Sequence, residues 1–256
     1  MNGIPVSDTR NFAIMGHSGS GKTTLVDALL FKLGQNDRLG SVSAGSSMAD
    51  YTDEEKTKKH SIYAKPFNTS YKTATGKTMG LIFTDTPGYM DFHGQVLMAC
   101  RSTETALIVI DAASGIQVGT RKAWKTAEKN GLARAIVITG TDKENTDFEK
   151  TVSDIQNIFG SNCVPVTIPL PKGGVVDVLS GKDIPADVAD SAKEYKDKIT
   201  ELAAATDDSL IEKFLGGTEL TAEELAKGLQ AAVASGGLVP MFTCLAQKDV
   251  GLKELL

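Results

Sequence analysis

The sequence predicts an α/β protein with a mostly parallel central sheet flanked by helices. Four short apolar runs rich in β-branched residues recur along the chain, and a loop and a helix-like pattern follow each of them. These runs are residues 12–15, 81–83, 106–110 and 135–138. Continuous apolar strands that alternate with helices are typical of a parallel sheet covered on both faces. A chain of 256 residues with 41% hydrophobic side chains is long enough to bury a sizeable core around such a sheet.

The segments between these strands carry helical spacing. Apolar residues from Leu25 to Leu33 recur at helical intervals after the first strand, and Gly34 marks a stop. Residues 119–130 predict a second helix, ended by Gly131, in which Trp124 is expected to pack on the sheet.

The region between the first two strands is polar at first and then strand-like. Residues 39–61, the polar segment, are rich in Gly, Ser, Asp, Glu and Lys, which predicts a mobile loop rather than a packed element. A solvated connector without a function is the alternative interpretation. Residues 62–67 and 69–83 contain two strand-like stretches around the turn-prone residues 74–77, which predicts a hairpin leading into the second core strand.

After about residue 160 the alternation of strands and helices breaks. Short strands are predicted at 164–169 and 175–179, helices at 190–205, 207–215 and 221–234, and a final strand at 240–244 that rejoins the main sheet. We interpret 160–238 as a small α+β insert within one domain that spans residues 1–256.

Composition argues against several classes of function. A net charge of −5 gives no electrostatic footprint for direct DNA binding. No run approaches the roughly 18 apolar residues of a membrane span, and the N-terminus lacks a signal-peptide pattern, so we expect no membrane contact and a cytoplasmic protein. The widely spaced Cys100, Cys163 and Cys244 fit buried, reduced thiols better than disulfides or a zinc site.

A glycine-rich loop carries the strongest chemical signal. Residues 16–23 match the pattern GxxxxGK[ST], follow an apolar strand and open a helix. Backbone N–H groups of such a loop surround phosphate oxygens, Lys22 would bridge the β and γ phosphates, and Thr23 would ligate Mg²⁺. The predicted nucleotide-binding residues of this loop are His17, Ser18, Gly19, Ser20, Gly21, Lys22, Thr23 and Thr24.

A second motif follows the second core strand. Residues 85–89 read Asp-Thr-Pro-Gly-Tyr at the carboxyl end of a predicted parallel strand, where ligands of α/β sheets bind. Asp85 would hold Mg²⁺ through a water molecule, and the Gly88 N–H would bond the γ-phosphate. The four-residue pattern from Asp85 to Gly88 is weak by itself, but its place 63 residues after Lys22 fits the second half of a GTPase site.

These motifs resemble the GTP-binding domain of elongation factor G, particularly elongation-factor-G-like paralogues. Besides residues 16–23, the similar segments are 85–92, 115–121, 142–148 and 175–179. The resemblance covers the whole chain and implies a P-loop GTPase fold with an extra subdomain, bound GTP or GDP with Mg²⁺, and the ribosome as partner of the full-length protein. It also implies further C-terminal domains absent from this chain, which we therefore expect to be a fragment.

The base-recognition motifs depart from the family. Where the family has Asn-Lys-x-Asp, residues 139–142 read Thr-Gly-Thr-Asp. Asp142 can still accept hydrogen bonds from guanine N1 and its amino group, whereas Thr139 and Gly140 lose the Asn bonds and the Lys stem that packs on the base. Asp142 as a mere cap of the following helix is the alternative. The backbone N–H of Ala246 is expected to reach the guanine carbonyl.

The catalytic part also departs from the family. Ser61 stands where a threonine ligates Mg²⁺, and it keeps the hydroxyl, while the preceding 58–60 are unusual and can be read as a solvated basic run. Tyr89 replaces the histidine that positions the attacking water, and a phenol, which ordinarily titrates near pH 10, is poorly matched to proton chemistry at neutrality. With Tyr89, Lys22 and Gly88 as the catalytic set we predict slow hydrolysis. His93 is more readily explained as a helix-surface histidine than as a substitute.

Three functions remain open at this point. The first is a translational GTPase domain that hydrolyses GTP slowly to GDP. The second is a nearly inactive, nucleotide-dependent binding module that regulates association with the ribosome or another partner. The third, a P-loop ATPase or kinase, would explain the altered tetrad but not the resemblance along the rest of the chain.

Overall fold

The fold is a seven-stranded, mostly parallel sheet with helices on both faces, which confirms the predicted class. The computed structural model describes residues 3–73, 75–171 and 173–256. The strand order is β2-β3-β1-β4-β5-β9-β6, and only β2 runs antiparallel to its neighbour. The strands of this sheet are β1 Thr9–Gly16, β2 Lys65–Lys72, β3 Thr78–Asp85, β4 Thr105–Asp111, β5 Ala133–Thr139, β6 Cys163–Pro165 and β9 Val239–Thr243.

Strand β4 illustrates why the central strands are continuously apolar. Ile108 and Ile110 belong to one hydrophobic cluster, and Leu107 and Val109 belong to the other. Because successive side chains of a strand point to opposite faces, a strand buried on both faces needs apolar residues at every position. The carboxyl ends of β1, β3, β4 and β5 therefore meet at one edge of a rigid sheet.

Nine helices are found in the described ranges, and they include those predicted after the first strand and at 119–130. Trp124 lies in the second of these helices, is 7% exposed and belongs to the same hydrophobic cluster as Ile136 of β5, so its predicted packing on the sheet is confirmed. The helices are α1 Lys22–Lys32, α2 Asp53–Lys58, α3 His93–Arg101, α4 Val118–Lys129, α5 Phe148–Phe159, α6 Ala189–Ala204, α7 Asp208–Leu215, α8 Ala222–Ser235 and α9 Leu252–Leu255. None of them, in the described part of the chain, is both long and apolar enough to cross a membrane.

The region after residue 160 contains the predicted helices α6 to α8, but the prediction of its first strand is wrong. Residues 164–169 were expected to form one strand, whereas β6 ends at Pro165 in the main sheet and β7, Thr167–Pro169, pairs with β8, Val175–Asp177, in a separate two-stranded sheet. The chain changes sheets at Val166, whose N–H donates to Met241 O at 2.8 Å. The predicted final strand rejoins the main sheet as β9.

The elements after residue 165 do not form a core of their own. Ile168, Val176 and Ile199 belong to the same hydrophobic cluster as Ile108 and Ile136 of the central sheet. The predicted strand 175–179 is shorter than expected because the Asp177 carboxylate accepts hydrogen bonds from the N–H groups of residues 179 and 180 and so turns the chain.

The polar segment is packed in part, whereas the sequence predicted a mobile loop without a packed element. Helix α2 lies within it and begins with a capping box between Thr52 and Glu55. The Glu55 carboxylate is fully buried and accepts hydrogen bonds from the N–H groups of Ile62 and Tyr63 and from Lys65 Nζ. Although burial alone raises the pKa of Glu55, these donors hold it below its ordinary value.

The same carboxylate explains a second difference from prediction. The first hairpin strand was expected from residue 62, but β2 begins at Lys65 because the N–H groups of residues 62 and 63 donate to Glu55, and that of residue 64 donates to Gln95, instead of to a neighbouring strand. The hairpin of β2 and β3 itself is confirmed. Of its predicted turn 74–77, Ala74 lies outside the described residues.

Candidate functional site

The glycine-rich loop connects β1 to α1 at the carboxyl edge of the sheet. It turns at Gly19 and Gly21, which both have positive φ, and helix α1 begins at Lys22. Lys22 Nζ folds back across the loop and donates to His17 O at 2.7 Å. Burial lowers the pKa of Lys22 to about 8, against the attraction of Asp85 and Asp50. The Lys22 ammonium group is therefore buried inside the loop, where nearby negative charge does not compensate for the loss of water.

Three oxygen-bearing side chains from separate elements converge beside this lysine. Thr23 Oγ1 donates to Asp85 Oδ2 at 2.9 Å and lies 2.9 Å from Ser61 Oγ. All three residues are buried. Burial raises the pKa of Asp85 to about 7, with Lys22 and the Thr23 hydroxyl opposing it. Helix α1, strand β3 and the polar segment thus meet at one cluster of hydroxyl and carboxylate oxygens.

This cluster fits a hard divalent cation. Buried Asp85 Oδ1 and Asp50 Oδ2 have no hydrogen-bond partner among the described residues. Hydroxyl and carboxylate oxygens are the ligands that Mg²⁺ prefers. A cation beside Asp85, and an anion beside Lys22, would each restore the charged form that burial disfavours.

Asp50 was missed by the sequence analysis. It is 3% exposed and lies 3.4 Å from Lys65 Nζ. Nothing in a run of polar residues distinguishes a buried aspartate from a solvated one, so no sequence signal for it was available.

The loop after β3 runs directly beside the glycine-rich loop. A Cβ at Gly88 would lie 2.6 Å from Lys22 Nζ and 2.6 Å from Ser18 N, so only glycine fits there. A cavity of about 330 Å³, the inner cavity, opens between these segments. Its lining residues are Ser18, Gly19, Gly21, Lys22, Thr23, Thr24, Val42, Asp50, Lys58, Lys59, His60, Ser61, Gly88 and Tyr89.

Tyr89 borders the inner cavity and is 45% exposed. The His60 ring lies against it, 4.6 Å between centroids, and His60 Nδ1 is 3.0 Å from Lys58 O. The basic run 58–60 therefore lines the cavity rather than extending into solvent alone. His93 Nε2 lies 3.4 Å from Thr126 Oγ1 instead. Burial and the charge of Lys122 lower the pKa of His93.

A second cavity of about 260 Å³, the outer cavity, lies on the other side of the glycine-rich loop. It brings together Asp142 and Ala246, which are 104 positions apart in sequence. Lys248 Nζ lies 2.5 Å from Asp142 Oδ2, and this hydrogen bond is the main reason why the pKa of Asp142 is lowered. The residues that line this cavity are Gly19, Ser20, Gly21, Thr24, Asp111, Thr139, Gly140, Asp142, Lys143, Cys244, Leu245, Ala246, Gln247 and Lys248.

The alternative role of Asp142 as a helix cap is wrong. Helix α5 begins at Phe148, and its cap is Asp147, whose carboxylate accepts from Lys150 N at 3.0 Å. Thr139, the first residue of the altered tetrad, contacts the glycine-rich loop. Its hydroxyl lies 2.8 Å from Ser20 O and donates to it, so the end of β5 is still fastened to the glycine-rich loop.

The structure brings all the predicted site residues to one edge of the sheet. The two cavities share Gly19, Gly21 and Thr24, so they adjoin along the glycine-rich loop. The exception is the His17 side chain, which lies against Gly119 and contributes only its carbonyl to the loop. Asp111 and Lys143 of the outer cavity were given no role from the sequence: Asp111 lies outside the recognised motifs, and Lys143 lies in the similar segment 142–148 but only Asp142 was assigned a function there.

Comparison with known proteins identifies the fold family. A family model described as "Elongation factor Tu GTP binding domain" matches residues 7–256. A crystal structure of a protein from Thermus thermophilus is 32% identical in sequence with a TM-score of 0.88, and the match covers 96% of this chain and 39% of that one. This chain therefore spans well under half the length of that relative. The prediction of a P-loop GTPase fold is confirmed, and the chain belongs to the elongation factor Tu GTP-binding domain family.

Proposed function

We propose that this chain binds Mg²⁺-GTP across both cavities and hydrolyses it slowly to GDP. The observation that carries the proposal is a pair of adjoining cavities, with Lys22 and the cluster of Thr23, Ser61 and Asp85 at the inner end and Asp142 at the outer end. A guanine nucleotide has its charge at one end and its hydrogen-bonding edge at the other. Adenine presents a different edge, so the outer carboxylate disfavours the ATPase interpretation.

The roles of the inner residues follow from their positions. Lys22 binds the β and γ phosphate oxygens once it exchanges its bond to His17 O for them, and the backbone of residues 18–24 donates N–H groups around the phosphates. Thr23 and Ser61 would supply hydroxyl ligands for Mg²⁺, and Asp85 would hold the ion through a water molecule. When bound, Mg²⁺ neutralises charge on the phosphate oxygens. Gly88 lies beside Lys22 and Ser18, so its N–H would be in place to bond the γ-phosphate.

At the outer end, Asp142 accepts hydrogen bonds from guanine N1 and the exocyclic amine. The Ala246 N–H donates to the guanine carbonyl. Because Lys248 already engages one oxygen of Asp142, it keeps the carboxylate ionised and ready to accept. The hydrogen bond from the Thr139 hydroxyl to Ser20 O fixes the outer end relative to the glycine-rich loop.

Slow hydrolysis follows from Tyr89. Its phenol borders the inner cavity and can orient a water molecule, but it is a poor proton acceptor at neutral pH. The same observation favours the second candidate, a nearly inactive binding module in which nucleotide occupancy alone controls association with a partner. Turnover measured on the full-length protein with and without ribosomes separates the two.

The wider setting is also part of the proposal. We infer that the domain spans residues 1–256 with an inserted subdomain at about 160–238, and that it belongs to a longer, cytoplasmic, elongation-factor-G-like protein that contacts the ribosome. The support is the family match together with the 39% coverage of the Thermus protein.

Titration with a fluorescent GDP analogue, competed by GTP, ATP and XTP in Mg²⁺ or in EDTA, tests the nucleotide assignment. We expect GTP to displace the probe at far lower concentration than ATP or XTP, and EDTA to weaken GTP binding. Equal competition by ATP would refute guanine recognition, and binding of GTP unaffected by EDTA would refute the metal cluster.

A further inference from the structure

Lys143 borders the outer cavity, and its side chain is held at its far end. Lys143 Nζ donates to Asp111 Oδ1 at 2.8 Å, and the other carboxylate oxygen accepts from Ser114 Oγ at 2.7 Å. Asp111 is buried at the end of β4, whereas the Lys143 side chain is 54% exposed. Asp111 therefore restrains the Lys143 side chain, which would otherwise be free in solvent.

The backbone beneath this stem is Gly140. A Cβ at that position would overlap Asp111 Oδ1 and would lie 3.0 Å from Lys143 Cε and 3.2 Å from Lys143 Cδ. Gly140 also has φ +67°, which side chains rarely adopt. The methylenes of Lys143 thus occupy the space that a residue 140 side chain would need. The position of the Lys143 side chain therefore depends on the absence of a side chain at residue 140.

We propose that Lys143 is a binding residue for the purine base, and that its stem packs on the face of the ring whose edge Asp142 reads. This inference rests on the proposed function and adds a contact that the altered tetrad had been expected to lack. A planar base held by its edge needs an apolar surface against its face, and the stem of a lysine supplies one while its charge stays paired. Asp111 is the positioning residue for that stem.

Two substitutions at one position test the stem apart from the charge. Lys143→Ala removes the stem, and Lys143→Met keeps four unbranched heavy atoms but loses the ion pair. We expect Lys143→Ala to raise the Kd for GDP about 10-fold, the effect of roughly two buried methylenes, and Lys143→Met to raise it less than about threefold. Calorimetric titration of the full chain gives both values.

Inosine diphosphate makes the measurement specific to the ring face. Inosine lacks the 2-amino group that Asp142 binds but has the same ring face, so Lys143→Ala should raise the Kd for IDP by the same factor as for GDP. Asp142→Asn is the matched comparison and should change the ratio of the two Kd values. Lys198→Ala removes another exposed, ion-paired lysine far from the cavity and controls for charge.

The outcomes separate this inference from the function on which it rests. A Lys143→Ala variant that binds GDP as tightly as the parent chain does overturns the inference and leaves the function standing. Equal losses in Lys143→Ala and Lys143→Met also overturn it, because charge rather than the stem would then be responsible. A parent chain that binds no guanine nucleotide overturns both. Unchanged circular dichroism and Tm in each variant confirm that the fold is intact.

Discussion

The two ends of the site differ in how deeply their charged residues are buried. At the inner end Lys22, Thr23 and Asp85 are each less than 9% exposed, and their contacts join one loop, one strand and the packed polar segment. At the outer end Lys248 is 62% exposed and Asp142 33%, and their ion pair borders an open cavity. Removing a buried, charged partner costs much more than removing an exposed one. Substitutions at the inner end should therefore weaken nucleotide binding strongly, while substitutions at the outer end should weaken it less.

Lys22→Ala should have the largest effect on binding. It removes charge-assisted hydrogen bonds to two phosphates, each worth roughly 1.5–3 kcal/mol, so we expect the Kd for GTP to rise about 10³-fold. A fluorescent-nucleotide titration measures this change. Because the variant removes a buried positive charge that attracts Asp85 and Asp50, Tm must be recorded as well. A folded variant that binds GTP within tenfold of the parent chain would contradict the comparison between the two ends.

Tyr89→His should have a large effect on turnover and a small one on binding. A histidine can accept a proton or orient water near neutral pH, so ribosome-stimulated GTP hydrolysis by the full-length protein should increase about 10²-fold. Phosphate release is the measurement, and Tyr89→Phe, which keeps the ring against His60 but lacks the hydroxyl, is the control. No gain in stimulated turnover would argue against Tyr89 as the cause of slow hydrolysis.

Asp142→Asn should change which base is preferred. The amide cannot accept from both guanine donors, so the Kd for GDP should rise about 10- to 100-fold, corresponding to roughly 1.5–3 kcal/mol. Xanthine presents a carbonyl where guanine has its amine, so XDP should bind this variant better than it binds the parent chain. If the ratio of GDP to XDP affinity is unchanged, Asp142 does not read the base edge.

Lys248→Ala should have the smallest effect. The ion pair with Asp142 is exposed, and such pairs contribute about 0–1 kcal/mol, so the Kd for GDP should change less than about fivefold. Raising the salt concentration should reduce even this difference. A larger loss, measured in the same titration, would mean that Lys248 contacts the nucleotide itself.

The same contrast explains which neighbours could be expected from the sequence. Lys22, Thr23 and Asp85 were assigned to one site because each lies in a motif with particular residues at fixed local spacing. Asp50 and Glu55 were missed because a buried carboxylate satisfied by distant donors has the same sequence appearance as a solvated one. The packing of the polar segment depends on Lys65 in a later strand, which no local pattern reveals.

The sequence by itself determined the α/β class and the positions of the central strands, because apolar runs alternate with helical patterns along the chain. It also determined the phosphate loop, because that loop is a local motif. Only the tertiary structure decided that the chain changes sheets at Val166, that the polar segment is packed, and that Lys143 lies over Gly140. Each of these depends on contacts between residues of different elements or on a choice among hydrogen-bond partners. Such choices follow from the free energy of the whole packed chain rather than from any window of it.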